Sequence, residues 1–166
     1  WLIPALVVPV IGLLAFNLLI DPYGVWGAPL VAHINASKPL AGRMPEERAV
    51  AAVWRARPEA IILGTSTSMR VLPKDLETHL GVRAVNAGVP MSSLREIESY
   101  LDLAIRVQPN LKHVYLQLDF LQFNAKGHMG TRTGAAATDP PLFTNEGLAL
   151  LLAVDGTKAS AQTLRA

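Results

Sequence analysis

The sequence predicts an α/β fold: a three-layer fragment built on a parallel sheet and preceded by one transmembrane helix. Three observations lead there. Residues 1–20 carry no charged side chain. Beyond residue 58, short apolar runs bounded by Pro or Gly stand at 60–63, 83–86 and 113–118. Between them lie longer stretches with helical spacing, and strand–helix alternation is the pattern of a parallel sheet with helices on its faces.

The elements follow in order. Trp1 to Ile20 reads WLIPALVVPVIGLLAFNLLI, in which only Asn17 is clearly polar. A 20-residue helix is about 30 Å long, the thickness of a bilayer core. Pro4 falls in the first turn and Pro9 in the interior, where it kinks the helix. A signal peptide has a shorter apolar region and a small-residue cleavage site. Leu18-Leu19-Ile20-Asp21-Pro22 is a poor one, so the run favours an anchor; a buried core helix is the third reading. Asp21-Pro22-Tyr23-Gly24 ends the helix, with Tyr23 and Trp26 suited to the headgroup layer. Residues 21–42 read as a juxtamembrane linker and residues 43–166 as the partial α/β domain. A chain that opens on Trp rather than Met is expected to be a processed or truncated piece.

Within that domain Glu46–Arg57 has helical spacing and Pro58 stops it. Ala60–Leu63 reads as a buried strand. Pro73–Leu80 is a short helix closed by Gly81, and Arg83–Asn86 a second strand. Ser92 or Ser93 caps a helix running to Val107, and Ser93 with Glu96 has capping-box spacing. His113–Leu118 is a third strand. Residues 125–141 read as a mobile loop. Gly147–Val154 and Lys158–Arg165 read as helical pieces split by Asp155-Gly156. Phe120 and Phe123 are expected to close a core, with stacking on sugar as the other reading.

Composition narrows the function. A net charge of +2 is too mild for a nucleic-acid surface. The absence of cysteine excludes disulfides, thiolate catalysis and Cys-based zinc sites. No histidine pair has metal-ligand spacing on a helix.

Ligands of open parallel sheets bind beyond the carboxyl ends of the strands. Those ends carry Gly64-Thr65-Ser66-Thr67-Ser68, Asn86-Ala87-Gly88, and Asp119 followed by Asn124. A tight turn after Gly64 lifts the Ser66 hydroxyl above the sheet and leaves backbone N–H groups to hold an oxyanion. Gly88 can bring a second N–H close. Local pattern leaves two other readings open: Ser and Thr as caps of the next turn, and a phosphate loop. The second lacks Gly-Lys-Ser/Thr, and no G-x-G-x-x-G is present.

Ile61-Ile62-Leu63-Gly64-Thr65-Ser66, with Val85-Asn86-Ala87-Gly88-Val89 some 20 residues later, resembles the first two blocks of the SGNH, or GDSL-type, hydrolase superfamily. The layout is most similar to its membrane-anchored bacterial branch, which includes the alginate O-acetylation proteins and the DltD-type D-alanylation proteins. The resemblance implies a flavodoxin-like sheet, Ser66 as nucleophile, and an oxyanion hole from the N–H groups of Ser66 and Gly88. Thr65 takes the Asp position of Gly-Asp-Ser, and Asn86 opens the second block. The superfamily's third block offers an Asn donor; here Leu118-Asp119 stands there, and Asn124 is the residue available to replace it. The fourth block, Asp-x-x-His, supplies the general base and its orienting carboxylate. No Asp of this chain is followed three positions later by His. Of His33, His79, His113 and His128, only His128 falls in a loop on the side of the site.

The resemblance thus implies a serine-dependent O-acyltransferase or acyl esterase acting on a cell-envelope polysaccharide, a reaction that needs no metal or organic cofactor. It would be anchored in the bacterial inner membrane, face the periplasm or cell exterior, and work with a membrane acyltransferase. Two alternatives stand beside it. One is a non-catalytic scaffold that binds glycan or that acyltransferase. The other is a soluble-type hydrolase tethered only for location.

Overall fold

The computed structural model describes residues 2–123, 139 and 145–166. The chain divides into two compact units, Trp1–Met44 with Asp139–Ala166, and Pro45–Thr138. The boundary after Met44 lies two residues from the one expected after 42, while 139–166 group with the N-terminal residues.

The second unit is mixed α/β. In chain order it holds α2 (Pro45–Ala56), β1 (Ala60–Leu63), α3 (Pro73–Leu80), β2 (Ala84–Asn86), α4 (Leu94–Val107) and β3 (His113–Leu116). A 3-10 turn follows at Phe120–Phe123. The strands run parallel in the order β2-β1-β3. Ile61 sits across from Val85 on one side and Val114 on the other. The central strand is fully buried, which explains its unbroken Ala-Ile-Ile-Leu run. Ile61 and Leu63 join Val50 and Val53 of α2 and Leu103 and Ala104 of α4 in one apolar cluster.

Local signals set the helix ends. Pro73 opens α3, and Gly81, at φ 65°, closes it with its N–H on the Glu77 carbonyl. Ser93 caps α4 in a full capping box with Glu96.

β3 is shorter than the expected 113–118. The Gln117 N–H still reaches the Leu63 carbonyl, but β1 ends there and no ladder partner remains. All four residues of β3 are exposed. His113 and Gln117 donate toward β1, so alternation turns the backbone of Val114 and Leu116 away from it, as at a sheet edge. The start of the strand is pinned twice. The Glu59 carbonyl accepts from Lys112 and His113 N–H, and Lys112 Nζ lies 2.6 Å from the Glu59 carboxylate.

The first unit holds α1 (Leu2–Ile20), α5 (Asn145–Leu152) and α6 (Val154–Thr163). The break between the last two falls at Ala153, not at Asp155-Gly156. Asp155 lies in the first turn of α6. Gly156 is buried where an added Cβ would lie 2.1 Å from the Leu150 carbonyl oxygen.

An anchor helix standing alone would be exposed all round. Val8 and Ile11 are, at 67% and 58%, but Asn17 and Ile20 are buried. The cause is the Asn17 amide. It donates to the Leu151 carbonyl at 2.7 Å and to the Thr157 hydroxyl at 3.2 Å, and accepts from Ser160 at 2.7 Å. A buried amide needs such partners, so this end of α1 packs on α5 and α6. A helix of this length is about 28 Å long. Among the described residues no helix is long and apolar enough to cross a membrane.

Asp21 follows α1 at φ 48° and is 1% exposed. Its carboxylate accepts from the N–H groups of Val25, Trp26, Gly27 and Ala28 at 2.8–3.3 Å. Lys38 Nζ lies 3.2 Å away and also donates to the Asp21 carbonyl. The Gly- and Pro-rich segment is therefore wound around one buried anion.

Asp21→Ala removes the buried carboxylate that Lys38 and four N–H groups share. It is expected to lower the stability of this unit by about 3–5 kcal/mol, read by urea unfolding followed through Trp26 fluorescence. An unchanged midpoint would contradict the clamp. At β3, the hydrogen bond and charge of Lys112 hold the exposed Glu59 carboxyl below its ordinary pKa. Its small contribution is present above the ordinary carboxylate pKa and is lost as pH falls through the lowered one. Lys112→Met should move the Glu59 titration, followed by NMR, upward toward the ordinary range, the lesser lowering by Arg83 remaining.

Candidate functional site

β1 delivers the chain to Gly64, which turns at φ 150°. A Cβ there would lie 2.8 Å from both the carbonyl and the side-chain oxygen of Gln117, and 2.9 Å from Ser68 Cβ. Only glycine fits. The chain then exposes Ser66 and Thr67 and buries Thr65 and Ser68. Ser68 is fully enclosed and its hydroxyl donates to the Thr65 carbonyl at 2.7 Å. Among the described residues nothing accepts from the N–H of Ser66 or Thr67, or bonds the Ser66 hydroxyl.

The turn after β2 packs against this one. The Asn86 amide donates to the carbonyls of Ser68 and Val71, both at 2.8 Å. Its oxygen accepts from the Gly88 N–H at 2.8 Å, a local Asn turn. A Cβ on Gly88 would sit 2.1 Å from the Ser68 hydroxyl. The Gly64 carbonyl accepts from the Val89 N–H at 3.1 Å and the Ser92 hydroxyl at 3.0 Å.

The segment after β3 completes the edge. Thr65 donates its hydroxyl to Asp119, and the Gln117 amide donates to the other carboxylate oxygen. Gln122 accepts from the Asp119 N–H at 2.8 Å and donates to the Ser92 carbonyl at 3.1 Å. One polar chain, Thr65–Asp119–Gln122–Ser92, thus joins all three strand ends.

The structure brings Ser66, Thr65, Asn86, Gly88 and Asp119 to the same carboxyl edge. It also departs from the expected roles. The Gly88 N–H is engaged by Asn86, because an Asn at a strand end captures the N–H two residues on; it does not point at an open oxyanion position. Among the described residues of the Gly64 turn, the N–H groups of Ser66 and Thr67 have no acceptor. Ser68 caps nothing; it is the filling between the first two turns. Asp119 acts as an acceptor, as a carboxylate must. Asn124 and His128, and all of the expected loop 125–141 except Asp139, lie outside the described residues. His79 and His113 line a cavity of about 350 Å³ between the end of α3 and the start of β3, at the amino edge. His33 belongs to the other unit, at φ 62°. Among the described residues no group of three His, Asp or Glu could hold a metal ion.

Phe120 and Phe123 do not close a core. They are 88% and 62% exposed. Gln117, Gln122 and Ser92 were missed; the signal was two amides flanking Asp119 directly after an apolar strand.

No family model, curated protein or solved structure matches this chain. The likeness to SGNH hydrolases rests on the residues quoted for it.

Gly88→Ala forces a methyl onto Ser68. It is expected to cost about 1–3 kcal/mol, measured by thermal unfolding, and Ser68→Gly in the same chain should recover part of it. If Gly88→Ala alone is neutral, the two turns are not packed as described.

Proposed function

We propose that this chain is the membrane-anchored, extracytoplasmic part of a serine-dependent O-acyltransferase or acyl esterase acting on a cell-envelope polysaccharide. On this reading the α/β unit is a piece of a three-layer, flavodoxin-like SGNH domain. The observation that carries the reading is the exposed Ser66 hydroxyl, on a turn that only glycine permits, beside two backbone N–H groups that no other described residue uses. Ser66 attacks the acyl carbonyl. The oxyanion forms next to the Ser66 and Thr67 amides, the leaving group departs with the proton, and an acyl-Ser66 ester remains. A glycan hydroxyl or water then takes the acyl group. The exposed apolar residues Val8 and Ile11 of α1 support the anchor, since such side chains are not suited to water.

A second reading is favoured by one observation. In the described α/β unit both histidines stand at the amino edge, so no histidine among the described residues faces Ser66. A non-catalytic scaffold binding glycan or a membrane acyltransferase needs none.

Two measurements separate them. In the protein expressed at its natural length, Ser66→Ala should lower acetate release from an O-acetylated polysaccharide by about a thousandfold or more, while Ser68→Thr keeps any loss in proportion to lost stability. Equal activity of Ser66→Ala and the parent supports the scaffold. The 166-residue chain carries no Asp-x-x-His, the motif whose base contributes about 10²–10⁴. It should therefore cleave p-nitrophenyl acetate no faster than its own Ser66→Ala variant. A Ser66-dependent rate there would mean that a base is present, with His128 the first residue to replace.

A further inference from the structure

We infer that Phe120 and Phe123 form the acceptor subsite for the polysaccharide, a two-ring platform on which sugar rings stack beside Ser66. The inference rests on the glycan-acting reading above and adds the residues that would hold the sugar.

The first support is geometric. Phe120–Phe123 is a 3-10 turn. Such a turn has three residues per turn, so side chains at i and i+3 eclipse. The two phenyl groups therefore leave the same face, one turn or about 6 Å apart along the axis. They are 88% and 62% exposed, and Leu121 beside them is 60% exposed. An aromatic pair left open to water on a polar edge marks a contact surface rather than a packing accident.

The second support is the tether. Gln122, between the rings, is only partly exposed and makes the bonds to the Asp119 N–H and the Ser92 carbonyl. The turn is thus fastened by the same polar chain that holds Thr65, the neighbour of Ser66. A platform fixed to the nucleophile's own turn positions an acceptor hydroxyl relative to it, which is what acyl transfer requires.

The third support is chemical. A pyranose ring has a C–H face and a rim of hydroxyls. Phenyl rings suit the face. The Asp119 carboxylate suits the rim: its oxygens each accept one hydrogen bond, from Thr65 and from Gln117, no cation pairs with it among the described residues, and a carboxylate has further acceptor sites for a hydroxyl. An acyl chain or a bilayer would gain nothing from that carboxylate, which argues against a lipid occupant.

The test uses the natural-length protein and its Phe120→Ser/Phe123→Ser variant. Both positions are exposed, so the fold should survive, checked by an unchanged thermal midpoint. Affinity electrophoresis in gels containing alginate, O-acetylated alginate or xylan should show retardation of the parent by at least one polymer. The variant should bind that polymer about three- to tenfold more weakly, the range expected for losing aromatic stacking. Retardation by none of the three, or equal retardation of parent and variant, overturns the inference. So does a variant that keeps its glycan affinity but loses binding to phosphatidylcholine vesicles, which would make the rings a membrane contact. Acetate release dependent on Ser66 is read in parallel. If release holds and ring-dependent binding fails, the subsite is wrong and the catalytic reading stands; the opposite pair leaves the subsite and removes the catalysis.

Discussion

The close approach of two turns at Gly64 and Gly88 is the constraint on which the candidate site depends. Both positions are crowded beyond what any side chain allows, Gly64 by Gln117 and Ser68, Gly88 by the Ser68 hydroxyl. Because Ser68 is locked between them, the residues before it have one way to run. Thr65 turns inward to Asp119 and Ser66 turns outward to solvent. The exposed hydroxyl is thus a consequence of packing two residues away. Overpacking costs about 1–3 kcal/mol per added group, so the constraint is stiff on the scale of whole-domain stability, about 5–15 kcal/mol.

A related logic shapes the other unit, with polar groups in place of glycines. Asn17 and Asp21 are almost fully buried within an otherwise apolar or irregular stretch. Each is saturated with partners, Asn17 by α5 and α6, Asp21 by four backbone N–H groups and Lys38. A buried polar group without partners is costly, and with them it fixes one arrangement. Asn17, the only clearly polar residue of a long apolar run, is the point at which that run meets protein.

Much of this was legible in the sequence where a local rule decides. The Ala-Ile-Ile-Leu strand, the Pro73 start and Gly81 stop of α3, and the Ser93–Glu96 box each follow from the chemistry of a few neighbouring residues, and the structure shows all of them. What was not legible depends on residues distant in sequence. β3 stops at Leu116 because β1 stops at Leu63. The break at Ala153 comes from the fit of Gly156 under Leu150. Ser68 is buried because Gly88, twenty positions later, has no side chain. Phe120 and Phe123 misled for the opposite reason: apolar residues after a strand normally find a core, and these face solvent. At the site, Ser66, Thr65, Asn86, Gly88 and Asp119 could be named from motifs, but not that Asn86 would occupy the Gly88 N–H.

The central claim is that Ser66, and no other hydroxyl on this edge, is the reactive group. The most direct measurement is peptide mass spectrometry of the natural-length protein after reaction with a fluorophosphonate. The expected result is a single phosphonate adduct on Ser66, with Ser68, Thr65 and Thr67 unmodified. An adduct on Ser68, or none on this turn while the protein remains folded, would contradict it.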